Sequence, residues 1–156
     1  MSAALITATF LGLAGLGFCA VLGFTAISSA DVFRHTSLSI FFTLITLLAH
    51  SMTMFYLIGK GKAIREAVAE GGLEPDLYAT MARTRRPVFS VGTVAMVVTM
   101  TAAILGGGVD TGVIPAWVHS VLALSAVASN LAALRVEVIA LLSSAQVVTE
   151  VNRLLK

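Results

Sequence analysis

The chain has 156 residues, of which 58% are hydrophobic and only 12% are charged, and its formal net charge is +2. About a quarter of the residues in a soluble domain are charged, so this composition excludes an ordinary water-facing surface. The single cysteine, Cys19, excludes a disulfide framework and a cysteine-based metal knuckle. The composition therefore predicts one all-α domain that lies in a membrane.

Four apolar runs follow one another along the chain. Each is long enough to cross a bilayer core of about 30 Å at about 1.5 Å per residue. They predict an up-and-down bundle of four transmembrane helices at residues 3–29, 33–59, 87–107 and 115–142. The first run could instead be a signal peptide, since small residues follow it. It lacks a preceding basic region and is too long for that, so a helix is expected.

The segments that connect these helices carry their own signals. The second helix is predicted to extend to residue 70 and the fourth to residue 155, because the helical pattern continues. A loop is predicted at 71–86, with a short helix that begins at Pro75. Pro87 suits the first turn of the third helix, where the missing N–H costs nothing.

The basic residues are concentrated between the second and third helices, where six of the ten lie. By the positive-inside rule this segment is cytoplasmic, and both termini are then cytoplasmic too. Trp117, one turn into the fourth helix, is placed as an interfacial anchor. The expected location is the plasma membrane, or inner membrane, of a bacterium. Topology and anionic headgroups explain the basic cluster, so nucleic-acid binding is not expected.

Two helices carry polar or small side chains along one continuous face, and in lipid such faces turn toward the bundle interior. In the second helix the face consists of Ser39, Thr43, Thr46, His50 and Thr53. In the fourth helix it consists of His119, Ala123, Ala126, Asn130, Ala133, Glu137, Ala140 and Ser144. We predict that both faces line the interior.

The first helix has Gly15, Cys19 and Gly23 at successive steps of four, a pattern typical of close helix packing. That packing could lie within the bundle, or against a second copy or a partner subunit.

The third helix has Thr93, Met96 and Met100 on one side. Met96 and Met100, together with the methionines beside His50, are soft ligands that suit Cu(I). The alternative is that they fill apolar space.

The histidines are the main functional signal, because an inward histidine in a membrane bundle must bond, ligate or relay protons. Two neutral imidazoles from facing helices can hold a haem iron axially. The placement of histidines on helices two and four is similar to that in membrane b-type cytochromes, which implies a haem b between those helices. His50 and His119 differ in depth by roughly 10–15 Å at 1.5 Å per residue, so His35 is the better partner of His119. His50 would then serve a second site, a quinone or a hydrogen bond.

Each candidate also has a structural interpretation. His35 could be solvated at the interface, and His119 could belong to the interfacial aromatic belt. His50 could bond to Asn130 or Arg135 at comparable depth. Glu137 could form an ion pair with Lys60 or Arg86, or part of a proton route.

Three classes of function follow from these residues. The first is a haem b or quinone-linked electron-transfer subunit. The second is a non-catalytic subunit of a larger membrane complex or homo-oligomer, and the third is a transporter or channel for protons or copper. No nucleophile–base pair or Gly-rich phosphate loop is present, so hydrolytic or transferase chemistry is not expected.

Overall fold

A computed structural model describes residues 1–156 and contains helices without strands. The four helices are α1 (Ser2–Thr25), α2 (Ser29–Glu70), α3 (Asp76–Asp110) and α4 (Ala116–Leu154). Each of them is long and apolar enough to cross a membrane. The prediction of an all-α, four-helix membrane protein is therefore confirmed at this level.

The turn between α1 and α2 is fixed by a capping box. The Ser28 hydroxyl accepts a hydrogen bond from the Asp31 backbone N–H, while the Asp31 carboxylate accepts one from the Ser28 backbone N–H. Two orphan donors at the helix start are satisfied in this way. The sequence predicted that the first helix ends at residue 29, whereas α1 ends at Thr25. It predicted that the second begins at residue 33, whereas α2 begins at Ser29.

The segment between α2 and α3 differs from the prediction. Only residues 71–75 connect the two helices, and residues 76–86, which were predicted as a loop with a short helix, form the first part of α3. Pro87 consequently lies inside α3 rather than in its first turn. Pro87 removes one backbone hydrogen-bond donor from α3. The helix nevertheless continues, because Met81 and Val88 on either side of Pro87 are buried in one apolar core.

The helices pack closely, with α2 and α4 in contact across the bundle and no close contact between α1 and α3. Small residues of α1 allow α2 to approach, since a Cβ atom at Gly12 would lie 2.6 Å from Thr46 Oγ1. A Cβ atom at Gly15 would overlap the ring of Phe42. The small-residue face of α1 is therefore a packing face within the bundle.

Both predicted interior faces are buried, apart from partial exposure at the first residues of each. Two ends of the bundle can be distinguished. The histidine end contains His35 and His119, and the basic end contains Lys60, Arg85 and Arg86. Near the basic end lies the main apolar core, formed by Leu5, Leu57, Ile64, Val68, Met81, Val88, Ala140, Leu141, Val147 and Val151. The outward-facing surface is apolar, as a lipid-facing surface must be, with Phe24, Phe55 and Trp117 more than 60% exposed.

Candidate functional site

A cavity of about 340 Å³ opens at the histidine end, between all four helices. His35 projects into it from α2 and His119 from α4, and Asp110 lies at the end of α3. Much of the remaining wall consists of small residues: Ala20, Gly23, Ala103, Gly106, Gly107, Ala116 and Ala123. The cavity thus combines two imidazoles and a carboxylate with walls that allow close approach to the backbone.

His35 is oriented by a hydrogen bond to the preceding helix. Its Nδ1 lies 3.0 Å from the backbone carbonyl oxygen of Cys19. Because a carbonyl only accepts, Nδ1 carries the proton, and Nε2 keeps its lone pair in the neutral ring. Gly23 makes room for this ring, since a Cβ atom there would lie 2.9 Å from His35 Cε1.

His119 lies one turn into α4 and is held differently. Its Nδ1 is buried and has no partner of ideal hydrogen-bond geometry, although the backbone carbonyl of Ala102 lies near the ring. A Cβ atom at Gly106 would lie 3.0 Å from His119 Cε1, so α3 accommodates this ring as α1 accommodates the ring of His35. An unpaired buried nitrogen is rare in proteins and calls for an explanation such as a ligand.

The two rings meet across the bundle. Their centroids are 6.2 Å apart and their planes are inclined by 76°. The structure thus brings together the two histidines that the depth argument paired, from helices that are not neighbours in the chain.

His50 lies deeper and is fully buried, and both of its ring nitrogens have protein partners. Nδ1 lies 2.6 Å from Glu137 Oε1, and Nε2 lies 2.7 Å from Asn130 Oδ1. No ring nitrogen is left to ligate a metal in this arrangement, so the sequence interpretation of His50 as an iron ligand has no support. The hydrogen-bonding alternative, with Asn130 as partner, is the arrangement that the structure contains.

The orientation of the Asn130 side-chain amide determines how many protons His50 and Glu137 share. Its Nδ2 donates to Thr99 Oγ1 and to the backbone carbonyl of Ala126, both at 2.7 Å, so Oδ1 is the atom that faces His50. His50 Nε2 must then be a donor, and a further proton must lie between Nδ1 and the carboxylate. His50 and Glu137 are therefore either an ion pair or a neutral pair, and the net charge is zero in both. Both Oδ1 and Nδ2 of Asn130, which the sequence also offered as a cofactor-binding residue, thus have protein partners.

Glu137 is buried on the interior face of α4, and its second oxygen, Oε2, lies 3.0 Å from Thr9 Oγ1 of α1. The expected ion pair with Lys60 or Arg86 is wrong, because His50 is the partner. Glu137 has only 1% of its surface exposed, and its two carboxylate oxygens contact Thr9 of α1 and His50 of α2.

The remaining candidates face outward. Met96 is half-buried and Met100 is 46% exposed, while the buried row of α3 is formed by Val88, Gly92, Ala95, Thr99 and Ala102. Met96 and Met100 thus lie off the buried row of α3, and both ring nitrogens of His50 have protein partners. Arg135 is exposed and has no carboxylate partner.

A second cavity of about 50 Å³ extends inward from the histidine pair. Its wall includes His35, His119, Ser39, Thr43 and Thr99, and Thr99 is the residue that accepts a hydrogen bond from Asn130. The surface of this cavity is almost entirely apolar, so the histidine pair and the deeper His50 group lie near each other without a continuous polar connection.

Sequence reasoning missed Thr9 and Thr99, which complete the His50 group from α1 and α3. The available signal was the same as for His50, namely an isolated polar side chain in a long apolar run. It was weak because a threonine hydroxyl can bond to its own helix backbone, and both threonines also do so.

The fold and the two histidine groups define a four-helix membrane protein with a polar interior. Comparison with protein-family models, characterised proteins and solved structures gave no match for this chain.

Proposed function

We propose that this protein is a membrane electron-transfer subunit that binds a b-type haem between His35 and His119. The proposal includes an up-and-down topology with cytoplasmic termini, which places the histidine end on the opposite side of the membrane. The observation that carries the proposal is the approach of two imidazole rings from α2 and α4 over a cavity with small-residue walls.

The separation of the rings would suit two ligands of one iron. A ligating imidazole nitrogen lies about 2 Å from its metal, so two imidazoles that held one haem iron would have ring centroids roughly 6 Å apart. The observed separation is 6.2 Å. Two tetrahedral ligands of one ion would bring the rings closer together than this.

The hydrogen bonding of His35 also fits. A metal-ligating histidine usually donates its other ring N–H to a carboxylate, backbone carbonyl or water, which fixes the tautomer and the ring orientation. His35 donates from Nδ1 to the Cys19 carbonyl, and so presents Nε2 as a ligand. For His119 the corresponding acceptor is the backbone carbonyl of Ala102, which lies near the ring but outside ideal hydrogen-bond geometry.

A haem bound here would supply one-electron transfer. The protein would hold its iron through His35 and His119, orient the first ring through Cys19, and exclude water with the apolar walls of the bundle. The same cavity is within the usual size of ligand pockets, about 300–1,000 Å³, and a quinone headgroup is the other ligand that its histidines could bind.

The test is haem retention by single variants purified from membranes of cells supplied with haem precursor. His35→Ala and His119→Ala should each lose more than about nine-tenths of the bound haem, since either removes one of the two axial ligands. Met96→Leu should retain it, because Met96 does not line this cavity. Equal haem content in all variants would assign the cofactor to another site or to non-specific binding.

Arg135 favours a second candidate function, that of a subunit in a larger membrane complex. It is exposed on an apolar face of α4, with Leu131 and Ile139 at least half exposed one turn away on either side. An unpaired arginine within a membrane segment costs about 2.5–3.5 kcal/mol or more, and a carboxylate of a partner subunit would remove that cost. Native purification should then yield a stoichiometric partner whose association is lost with Arg135→Leu.

A further inference from the structure

A third cavity, lined by both basic and apolar side chains, lies at the basic end between α2 and α3. It has a volume of about 390 Å³ and is lined by Ile58, Ala82, Arg85, Arg86 and Phe89. Two guanidinium groups therefore share a groove with an aliphatic and an aromatic side chain.

The cations of this groove are not neutralised within the chain. The four ion pairs of the structure are His50–Glu137, Lys62–Glu66, Arg83–Asp76 and Arg153–Glu150. Arg85, Arg86 and the neighbouring Lys60 take part in none of them. A concentration of unpaired positive charge at the end of apolar helices attracts anionic groups.

Arg85 is held in position rather than free in solvent. Its Nη2 donates to the hydroxyl of Tyr78 at 3.2 Å, and its Cζ lies 5.8 Å from the centroid of the same ring. Gly61 of α2 provides the space, because a Cβ atom there would lie only 2.0 Å from Arg85 Nη1. A half-buried guanidinium with one edge fixed in this way retains other N–H groups for a ligand.

The apolar side of the groove continues into the membrane-spanning parts of both helices. Ile58 precedes Lys60 by two residues, and Phe89 follows Arg86 by three. A molecule with a phosphate near the guanidinium groups would therefore place an attached hydrocarbon chain along Ile58 and Phe89. Arginine suits the phosphate because its planar fork donates two parallel hydrogen bonds to phosphate oxygens.

We propose that this groove binds the phosphate of an anionic phospholipid, with Arg85 and Arg86 as ligands and Ile58 and Phe89 against an acyl chain. A free phosphate ion shares the first part of this chemistry but has no use for the apolar wall. The proposal is independent of any cofactor at the histidine end.

The experiment is native mass spectrometry of the delipidated protein, titrated with phosphatidylglycerol, phosphatidylcholine or inorganic phosphate. The wild-type chain should bind phosphatidylglycerol more tightly than phosphatidylcholine. Arg85→Gln/Arg86→Gln should weaken phosphatidylglycerol binding by roughly 30-fold, given the usual contribution of each basic residue. The control, Lys62→Gln/Arg83→Gln, removes the same charge from side chains that already have carboxylate partners, and should change binding less than about threefold.

A further variant keeps every charge. Gly61→Ala places a methyl group where the Arg85 guanidinium lies, so it should weaken phosphatidylglycerol binding severalfold although net charge and fold are maintained. Equal losses in the two double variants would overturn the proposal in favour of general surface charge. Competition by inorganic phosphate at the same concentration as the lipid would show an anion site without a lipid requirement, which also overturns it.

Discussion

His50 Nδ1 lies 2.6 Å from Glu137 Oε1, and neither side chain has more than 1% of its surface exposed. This contact joins α2 to α4 across the bundle, and Thr9, Asn130 and Thr99 extend it to α1 and α3. One polar group thus connects all four helices in a region where water cannot compete for its hydrogen bonds. We expect these hydrogen bonds to favour the present register of the four helices.

Removing one partner of the His50–Glu137 pair should lower the free energy of unfolding more than removing both. Glu137→Leu leaves the buried His50 with an unmatched nitrogen, and we expect it to lower the free energy of unfolding by about 3–5 kcal/mol. The double variant His50→Leu/Glu137→Leu removes the unmatched ring nitrogen, leaving only the weaker loss at Asn130 Oδ1 and Thr9, and should be less destabilised than Glu137→Leu alone. Reversible unfolding in mixed detergent micelles measures both values.

The control for this cycle is Glu66→Leu, which breaks an exposed pair with Lys62 and should change stability by less than about 1 kcal/mol. The losses of unfolding free energy in His50→Leu and Glu137→Leu can be added and compared with the loss in the double variant. If the sum equals the loss in the double variant, the two side chains do not interact as described.

Gly106 should be required for the position of His119. In Gly106→Ala the new Cβ atom would lie 3.0 Å from His119 Cε1, so the ring must move away from its present position. We expect a severalfold decrease in the haem bound per chain. Gly107→Ala is the matched control, because a Cβ atom there meets nothing within 4 Å. Equal haem content in the two variants would show that the position of the His119 ring does not matter for binding.

A comparison of two glycine-to-alanine variants also tests how α1 packs on α2. Gly12→Ala would bring a Cβ atom to 3.1 Å from the Thr46 Cα atom, which belongs to the backbone and cannot rotate away. We expect a loss of about 1–3 kcal/mol in unfolding free energy from this overpacking. Gly17→Ala meets open space and should instead stabilise the helix by up to about 1 kcal/mol. Similar effects of the two substitutions would mean that α1 does not pack on α2 through Gly12.

The capping box predicts a dependence of stability on pH. Hydrogen bonds from the Ser28 hydroxyl, the Ser28 backbone N–H and the Ile27 backbone N–H lower the pKa of Asp31 from its usual value. Because the pKa is lower in the folded chain, the contribution is present above the unfolded value, about 3.9, and is lost as the pH falls through the folded value. Wild type should therefore melt at a higher temperature than Asp31→Asn at pH 7, and the difference should shrink at pH 3. A difference that stays constant between these two pH values would rule out a charged Asp31 as the source.

The sequence was sufficient to predict which faces of α2 and α4 are buried, because polar residues such as His50 and Asn130 are conspicuous in apolar helices. It did not predict the partner of Glu137, since that depends on how far each helix is shifted and rotated relative to the others. On α3 the sequence drew attention to the side with Met96 and Met100, whereas Ala95 and Thr99 are the buried residues there. Small residues allow the backbones to approach, and this packing determines the orientation of α3.

The most direct measurement is a dithionite-reduced minus oxidised absorption spectrum of the protein purified from membranes in detergent, with pyridine haemochrome quantification. The account predicts a b-type α-band and close to one haem per chain, with the band lost in His119→Ala and kept in His50→Asn if that variant folds. A featureless spectrum from folded protein that was supplied with haem during expression would contradict it, and the histidine pair would then be a packing contact.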